Sequence, residues 1–173
     1  KYNKRALSFN ANYFYRKIDN YIDWMRNLTT QPWQSQNTGD LNTNGINLRG
    51  TYRFDFSKDS RLNILLGYTY LDSEFKTART EIYSKYSISS LKHQITNTID
   101  YQFKNLSVMF ATRFNERITG PSYWVNDFRV SQAINKFTIF LDGQNIFNAT
   151  YYEVGAVPLP SRWFTLGVKL VTF

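Results

Sequence analysis

The sequence of 173 residues contains no cysteine, a single histidine and no long apolar run. Without cysteine the chain forms neither a disulfide framework nor a cysteine-ligated metal site, and cysteine usage does not indicate whether the protein works in an oxidising or a reducing compartment. No apolar stretch approaches the roughly 20 residues that a transmembrane helix requires. The first residues lack the apolar core of a signal peptide and soon become strand-like, which indicates a processed chain or a fragment.

Catalytic groups are equally scarce. His93 alternates with Lys92 and Gln94 at the start of a predicted strand, a setting that favours a structural or rim role over that of a ligand or base. Neither a Ser/His/Asp set nor a glycine-rich phosphate loop can be assembled from the sequence. We therefore expect no enzyme activity, no catalytic residue, no bound metal and no cofactor.

Aromatic residues are abundant: 14 Phe, 13 Tyr and 4 Trp make up 18% of the chain, yet the mean hydropathy is −0.47. A chain that is both very aromatic and polar overall is unusual for a soluble domain. Strands with one lipid-facing and one water-facing side produce this combination, because half of every segment is polar. Aromatic girdles at the two membrane interfaces account for the aromatic content.

The net charge of +8 favours an anionic partner. Basic residues are spread along the whole chain and alternate with apolar ones, and no basic helix or compact nucleic-acid module is present. This distribution predicts contact with membrane lipid and lipopolysaccharide phosphates, and no binding of nucleic acid.

Apolar and polar residues alternate along about eight segments, the signature of strands with two different faces. The alternation is clearest in residues 46–55, and a change of phase near residues 17–20 predicts a bulge inside one long first strand. Residues 27–40 and 73–90 are predicted to be loops. The predicted strands cover residues 7–24, 46–55, 62–70, 91–103, 106–114, 124–133, 137–142 and 162–173.

The connections alternate in length, with short turns near residues 57, 104 and 135 and longer polar loops near 33, 80, 119 and 153. A soluble sandwich also alternates apolar and polar positions, but its strands usually run about five to six residues. Long strands with short turns at one end and long loops at the other are typical of an outer-membrane barrel. The sequence therefore predicts an all-β, transmembrane, antiparallel up-and-down β-barrel of about eight strands.

The closing segment resembles that of the TonB-dependent outer-membrane receptors. The resemblance rests on Gln144–Asn148, Tyr151 and Tyr152, and Pro158–Arg162, followed by a final strand that ends at Phe173. Ser161 replaces the glycine that is usual in this family. The run Phe14–Asp19, with Asn37 and Gly45 further along, fits the first strands, so the resemblance covers essentially the whole chain.

The resemblance implies that residues 1–173 are a single β-barrel segment, the last eight strands of a barrel of roughly 22 strands that encloses a plug domain. Plug and signal peptide are absent from this sequence. The implied function is energised uptake of a large scarce nutrient. The implied partners are the TonB complex, reached through the plug, the barrel-assembly machinery, which reads the terminal Phe173, and a surface lipoprotein.

Within the family, the residues Lys85–Tyr86 and Leu91–His93, with the ending Pro158–Trp163, are most similar to cobalamin (vitamin B12) receptors of the Bacteroidetes type. Receptors for iron–siderophore complexes or haem share most of these features and remain the alternative. An alternative of another class is a self-contained eight-stranded structural or adhesive barrel with a side-chain-filled interior. The lumen-facing residues would then form an internal ion-pair network instead of facing a plug: Arg49, Arg53, Asp55, Asp100, Arg113, Asp127, Arg129 and Asp142.

Short turns in the periplasm would place the long loops outside the cell, where substrate contacts are expected from flat aromatic side chains. Taken singly, each of these residues is better explained by a place in the outer girdle or by the packing of one loop on another. In the last strand, counting back from Phe173 places Lys169 on the lipid side, so we expect a bulge near Val171. The predicted substrate-binding residues are Trp33, Tyr83, Tyr86, Tyr123, Tyr151 and Tyr152.

Overall fold

The computed structural model describes residues 4–26, 30–37, 39–76, 83–84, 91–118, 120–153 and 157–170. Within these ranges the chain forms eleven strands and no helix. The search for a helix long and apolar enough to cross a membrane found none among these residues. The strands are β1 (Lys4–Ile18), β2 (Ile22–Arg26), β3 (Gln34–Asn37), β4 (Asp40–Asp55), β5 (Ser60–Lys76), β6 (Tyr83–Ser84), β7 (Leu91–Phe103), β8 (Leu106–Arg117), β9 (Tyr123–Ile134), β10 (Phe137–Gln144) and β11 (Trp163–Leu170).

Eight strands form one antiparallel sheet in the order β1-β4-β5-β7-β8-β9-β10-β11. Each strand pairs with the next member of this set along the chain, so the sheet is an up-and-down meander, as predicted. The strands do not close into a cylinder, because β1 and β11 are its two edges within the described residues. A self-contained eight-stranded barrel would need these two strands to pair.

The register separates the sheet into an apolar and a polar face. Directly paired residues of antiparallel strands point to the same side, and one row of partners crosses all eight strands on the apolar face. Along β4, Arg49 and Arg53 are three residues and one residue from Tyr52, a member of this row. An odd separation places them on the opposite, polar face. The row consists of Leu7, Tyr52, Ile64, Ile99, Phe110, Phe128, Gly143 and Phe164.

Glycines on the strands make room for the rings of their cross-strand partners. Gly143 is paired with Phe128, and Gly167 with Phe140. A Cβ atom at either glycine would clash with the partner's ring. The rings therefore lie over the glycine backbone, an arrangement that pins the register of neighbouring strands.

The last strand places Phe164, Leu166, Val168 and Leu170 on the apolar face, opposite apolar residues or glycine of β10. Lys169 lies opposite Thr138 on the polar face. The larger side chains of this strand therefore lie on the apolar face and its lysine on the polar face. Val171, where the bulge was expected, and Phe173 lie outside the described residues.

The prediction of a bulge inside one long first strand is wrong. β1 ends at Ile18, Asn20 adopts a left-handed conformation with φ 56°, and β2 then joins a different sheet. Asparagine tolerates this conformation because its short polar side chain can hydrogen-bond locally. Asn20 does so: its side-chain oxygen accepts from the Asn37 amide nitrogen at 3.1 Å.

The second sheet has three strands in the order β3-β2-β6. Two of its strands lie within segments predicted to be loops, since β3 falls in residues 27–40 and β6 in residues 73–90, whereas β2 overlaps the end of the predicted first strand. Among the named strands, those of this small sheet contact only one another. The predicted loops therefore contain structure of their own at the long-loop end of the large sheet.

Candidate ligand-binding site on the polar face

The main buried apolar cluster lies at the long-loop end of the polar face. Tyr123 and Val125 of β9 pack with Tyr151 of the last long loop, and Leu159 covers them. The rings of Tyr123 and Tyr151 are 4.9 Å apart between centroids and tilted by 36°. Two amphipathic rings in contact form an apolar surface with polar tips, which suits a large ligand with both kinds of group.

A chain of hydrogen bonds connects this tyrosine pair to the neighbouring strands. The Gln94 amide nitrogen donates to the Asn115 side-chain oxygen at 3.0 Å, and the Asn115 amide nitrogen donates to the Tyr123 hydroxyl at 2.8 Å. The Tyr123 hydroxyl in turn donates to a Glu153 carboxylate oxygen at 3.4 Å. Asn115 is only 2% exposed, so its polar groups depend on these partners.

Arg113 extends the same cluster, because one of its guanidinium nitrogens lies 3.7 Å from the Glu153 carboxylate. The buried Nε atom of Arg113 has no hydrogen-bond partner among the described residues. One donor of this guanidinium therefore remains for an acceptor that the described chain does not supply.

The loop 145–162 is closed by the side chain of Asn145, which is 3% exposed, and is attached to β9 by the backbone of the same residue. Its amide nitrogen donates to the carbonyl oxygens of Ala149 and Pro160, and its oxygen accepts from the Ala149 amide. The backbone nitrogen of Asn145 donates to the Asp127 carboxylate at 2.8 Å. One buried amide thus connects both ends of the loop and places Tyr151 over Tyr123.

Burial raises the pKa of the Tyr151 phenol, and the nearby Glu153 carboxylate adds to the rise while Arg113 opposes it. The phenol is therefore protonated throughout the physiological range and is able to donate a hydrogen bond. Together the cluster offers aromatic surface, amides, a carboxylate and a guanidinium. These groups bind and orient a ligand, and their arrangement contains no nucleophile–base pair.

The predicted site residues separate into two groups. Tyr123 and Tyr151 are together in the buried cluster, whereas Tyr152 is 39% exposed and bridges to Pro158. Trp33 lies beneath the guanidinium of Arg26, with 4.4 Å between the Arg26 Cζ and the ring centroid. In the small sheet, Tyr83 is the register partner of that same arginine. Tyr86 lies outside the described residues.

Sequence analysis missed Gln94, Asn115, Glu153 and Asn145 as members of the site. Both Gln94 and Asn115 carry a signal in the sequence. Gln94 lies on the polar side of the predicted strand 91–103 near its long-loop end, and Asn115 directly follows the predicted strand 106–114 at a position of polar parity. Asn145 carries a signal only as a member of the run Gln144–Asn148, which resembles the family. Its role in closing the loop depends on partners that the fold brings near it. Glu153 gave no periodic signal, since it lies in a loop.

The charged residues of the polar face form small local pairs. Asp55 lies between Arg53 and Arg61, at 3.2 and 2.7 Å, and Arg129 binds Asp142 through two nitrogens at 2.5 and 2.7 Å. Arg61 was not among the predicted partners. Within the part of the chain that the structure describes, no group of His, Cys, Asp and Glu side chains could hold a metal ion.

Comparison with known proteins places this geometry in a family. The family model "TonB dependent receptor-like, beta-barrel" matches residues 1–168. No curated protein sequence matches the chain. Among solved structures, the FrpB iron transporter from Neisseria meningitidis (F3-3 variant) is similar, with a TM-score of 0.69 at 18% identity.

The similarity to FrpB covers 94% of this chain and 28% of that transporter. The chain thus spans less than a third of the length of the structure that it matches, and at this identity the likeness concerns the fold. The family model, in contrast, accounts for nearly every residue of the chain. The protein therefore belongs to the TonB-dependent receptor family, and residues 1–168 correspond to the β-barrel of that family.

Proposed function

We propose that this chain is part of an outer-membrane transporter that takes up a large scarce nutrient with energy supplied through TonB. The observation that carries the proposal is the loop 145–162, whose Tyr151 and Leu159 pack with Tyr123 on the polar face. A barrel that served only as a structural element would not need an aromatic, hydrogen-bonded surface on its inner wall. The apolar face of the same sheet supplies the lipid-facing surface.

The proposed orientation places the short turns in the periplasm. Residues 104–105 and 135–136 connect directly paired strand ends, since Phe103 pairs with Leu106 and Ile134 with Phe137. The tyrosine pair then faces the extracellular mouth of the lumen, where a substrate arrives. In this orientation the other partners are lipopolysaccharide around the wall, the barrel-assembly machinery at the last strand, and a surface lipoprotein at the loops.

Two substrate classes suit the site, and in both the ligand is large and carries rings and polar groups. Cobalamin is our first choice, because of the resemblance of Lys85–Tyr86, Leu91–His93 and Pro158–Trp163 to cobalamin receptors. Iron–siderophore complexes or haem are the second choice, which the similarity to an iron transporter favours. Tyr123 and Tyr151, which are 7% and 9% exposed, would support the binding surface from beneath. Arg113 and Glu153 would contact the ligand's polar groups.

Growth of a deletion strain distinguishes the substrates. The strain is grown with either cobalamin or a ferric siderophore as the limiting nutrient, and complemented with the full-length gene or its Tyr151→Ala variant. We expect growth to fail on one nutrient only, and the variant to restore it poorly at low nutrient concentration. Tyr152→Ala, at the neighbouring exposed position, is the matched control and should complement fully. Normal growth of the deletion strain on every nutrient tested would contradict uptake as the function.

A further inference from the structure

Aromatic rings cluster on the apolar face of the large sheet, at the end where the short turns lie. Phe54 and Phe56 are in edge contact, with 4.3 Å between their ring centroids, and Phe56 contacts Tyr101 at 6.4 Å. Phe103 follows on the same side of β7, as the register partner of Ser60. The Tyr101 hydroxyl is 3.0 Å from the hydroxyl of that buried serine, and this hydrogen bond orients the ring at the end of its strand.

Two cations border the cluster. Arg5 is the register partner of Phe54 and lies two residues from Leu7 of the apolar row, so both are on the apolar face. The Arg5 Cζ is 5.1 Å from the centroid of the Phe54 ring. In the turn after β7, the Lys104 Nζ is 5.5 Å from the Phe103 centroid. Both contacts are close enough for cation–π attraction, which holds the cations beside the rings. We call this group the basic aromatic rim: Arg5, Phe54, Phe56, Tyr101, Phe103 and Lys104.

The cations of the rim differ from the other cation of this face in their partners. Among the described residues, neither Arg5 nor Lys104 forms an ion pair. At the long-loop end, Lys17 shares the face of Arg5 on β1, and it pairs with Asp19 and lies 4.0 Å from Asp40. The chain itself thus supplies the anions for Lys17, whereas Arg5 and Lys104 are available to an anion from outside the described chain.

The position of the rim determines which anions reach it. Arg5 is the second residue of β1 and Phe103 is the last residue of β7, so the rim lies at the strand ends. In an outer-membrane barrel the ends of the apolar band are the membrane interfaces. The anions at that depth are lipid phosphates. The exposed rings of Phe56 and Phe103, at 47% and 43% exposure, offer apolar surface to the acyl chains next to those phosphates.

We propose that the basic aromatic rim binds anionic phospholipids in the leaflet on the short-turn side, with their phosphates at Arg5 and Lys104. This inference rests on the membrane location and orientation given under the proposed function. A phospholipid joins an anion to acyl chains, as the rim joins cations to rings. A net anionic headgroup is favoured over a zwitterionic one, because the latter carries its own cation beside the phosphate.

The spacing of the two cations indicates more than one phosphate. In the sheet, β1 and β7 are separated by β4 and β5, which places the backbones of these two strands about 14 Å apart. Arg5 and Lys104 therefore contact the phosphates of neighbouring headgroups. The rings between them fill the intervening part of the wall.

The first test measures lipid retention by the purified full-length receptor. The protein is extracted from vesicles of equal phosphatidylglycerol and phosphatidylcholine content, and its bound lipids are counted by native mass spectrometry. The wild type should retain phosphatidylglycerol preferentially, and Arg5→Gln with Lys104→Gln should bind it on the order of tenfold more weakly. Lys17→Gln, which removes the carboxylate-paired cation of the same face, is the matched control and should retain the lipid as the wild type does.

Folding of each variant is checked by heat-modifiable migration in gels. Where the double variant fails to fold, Lys104→Gln alone, in an exposed turn, should lower phosphatidylglycerol retention several-fold. Equal retention in the wild type and in this folded single variant would count against the proposal.

The second test separates a lipid site from a site for free anions. Glycerol phosphate carries the phosphate of the lipid without its chains and should not displace phosphatidylglycerol at millimolar concentration. Phe56→Ser removes apolar surface without changing the charge, and should weaken phosphatidylglycerol retention a few-fold. Phe147→Ser, at a ring that is 72% exposed in the loop 145–162, is the control and should change nothing.

Several outcomes would overturn the proposal. These are a wild type that retains both lipids equally, a double variant that retains phosphatidylglycerol like the wild type, or an equal loss in Lys17→Gln. Displacement of the lipid by glycerol phosphate would show that the rim binds free anions instead of a lipid. Failure of the proposed transport function is recognised separately, by absence of uptake in a wild type that inserts into the outer membrane and retains its lipid.

Discussion

Two loop regions at the same end of the sheet are organised in different ways. The loop 145–162 is attached to the wall, because Asn145 bonds to both ends of the loop and to Asp127 of β9. The segments around β2, β3 and β6 are attached to one another, since they pair into a small sheet whose strands contact no other named strand. A ligand-binding surface that is attached to the large sheet is as rigid as the sheet. The small sheet depends on its own contacts.

Removal of the Asn145 side chain should have the largest effect. Asn145→Ala leaves the carbonyl oxygens of Ala149 and Pro160 without their donor and the Ala149 amide without its acceptor. Ala149 is half-buried and Pro160 is exposed, so water can replace the lost partners and each hydrogen bond contributes about 0.5–1.5 kcal/mol net. At the low end of that range the three lost bonds total about 2 kcal/mol, and the loop should open on the order of 30-fold more often. Hydrogen exchange of the Ala149 amide in the full-length protein measures this opening.

Asn145→Asp is the matched control for that change. It keeps an oxygen that accepts from the Ala149 amide and loses the two donated bonds, so its effect should be intermediate. Strands β2 and β3 should exchange as in the wild type in both variants. Unchanged protection of the Ala149 amide in Asn145→Ala would mean that the loop is held by other contacts.

Tyr123→Phe should have a smaller effect, confined to the wall-attached site. The change deprives the buried Asn115 amide of its acceptor and Glu153 of a donor, which should destabilise the cluster by about 1 kcal/mol. The expected result is a ligand affinity reduced several-fold, measured by titration of the purified full-length receptor with the substrate that the growth experiment identifies. Tyr152→Phe is the control, since this exposed hydroxyl should contribute less than about 0.5 kcal/mol.

Equal losses in Tyr123→Phe and Tyr152→Phe would contradict the tyrosine pair as the binding surface. They would indicate that the ligand contacts the exposed outer side of the loop. The comparison therefore locates the ligand on one side of Tyr151 or the other.

The sheet could be predicted from the sequence because apolar and polar residues alternate with a period of two along its strands. Residues 46–55 alternate between apolar and polar without exception. In the structure they pair with both neighbouring strands, and their apolar residues lie on one face of the sheet, as predicted. The end of β1 could not be predicted in this way. A left-handed Asn20 and a bulge both produce a change of phase, and only the new partners of β2 distinguish the two.

The candidate site was predictable in part. Tyr123 and Tyr151 carry a compositional signal as loop-end aromatics, although 28 residues apart, and the meander brings their segments together. Asn145 and Glu153 have no such signal, because their role depends on carbonyl and hydroxyl partners that the folded loop supplies. Local patterns indicate which face a residue occupies, whereas hydrogen bonds between distant segments require the fold.

The smallest effect is expected in the small sheet. Trp33→Leu removes the contact between the indole ring and the Arg26 guanidinium, which between two half-buried side chains is worth about 1 kcal/mol. Amide exchange in residues 22–26 and 34–37 should become a few-fold faster, while the Ala149 amide keeps its protection because the two regions are held by separate contacts. Trp24→Leu, at a ring that is 47% exposed, is the matched control and should change less. Loss of protection at the Ala149 amide in Trp33→Leu would show that the loop 145–162 and the small sheet unfold as one cooperative unit. The two regions would then differ in which residues they contact, but not in their stability.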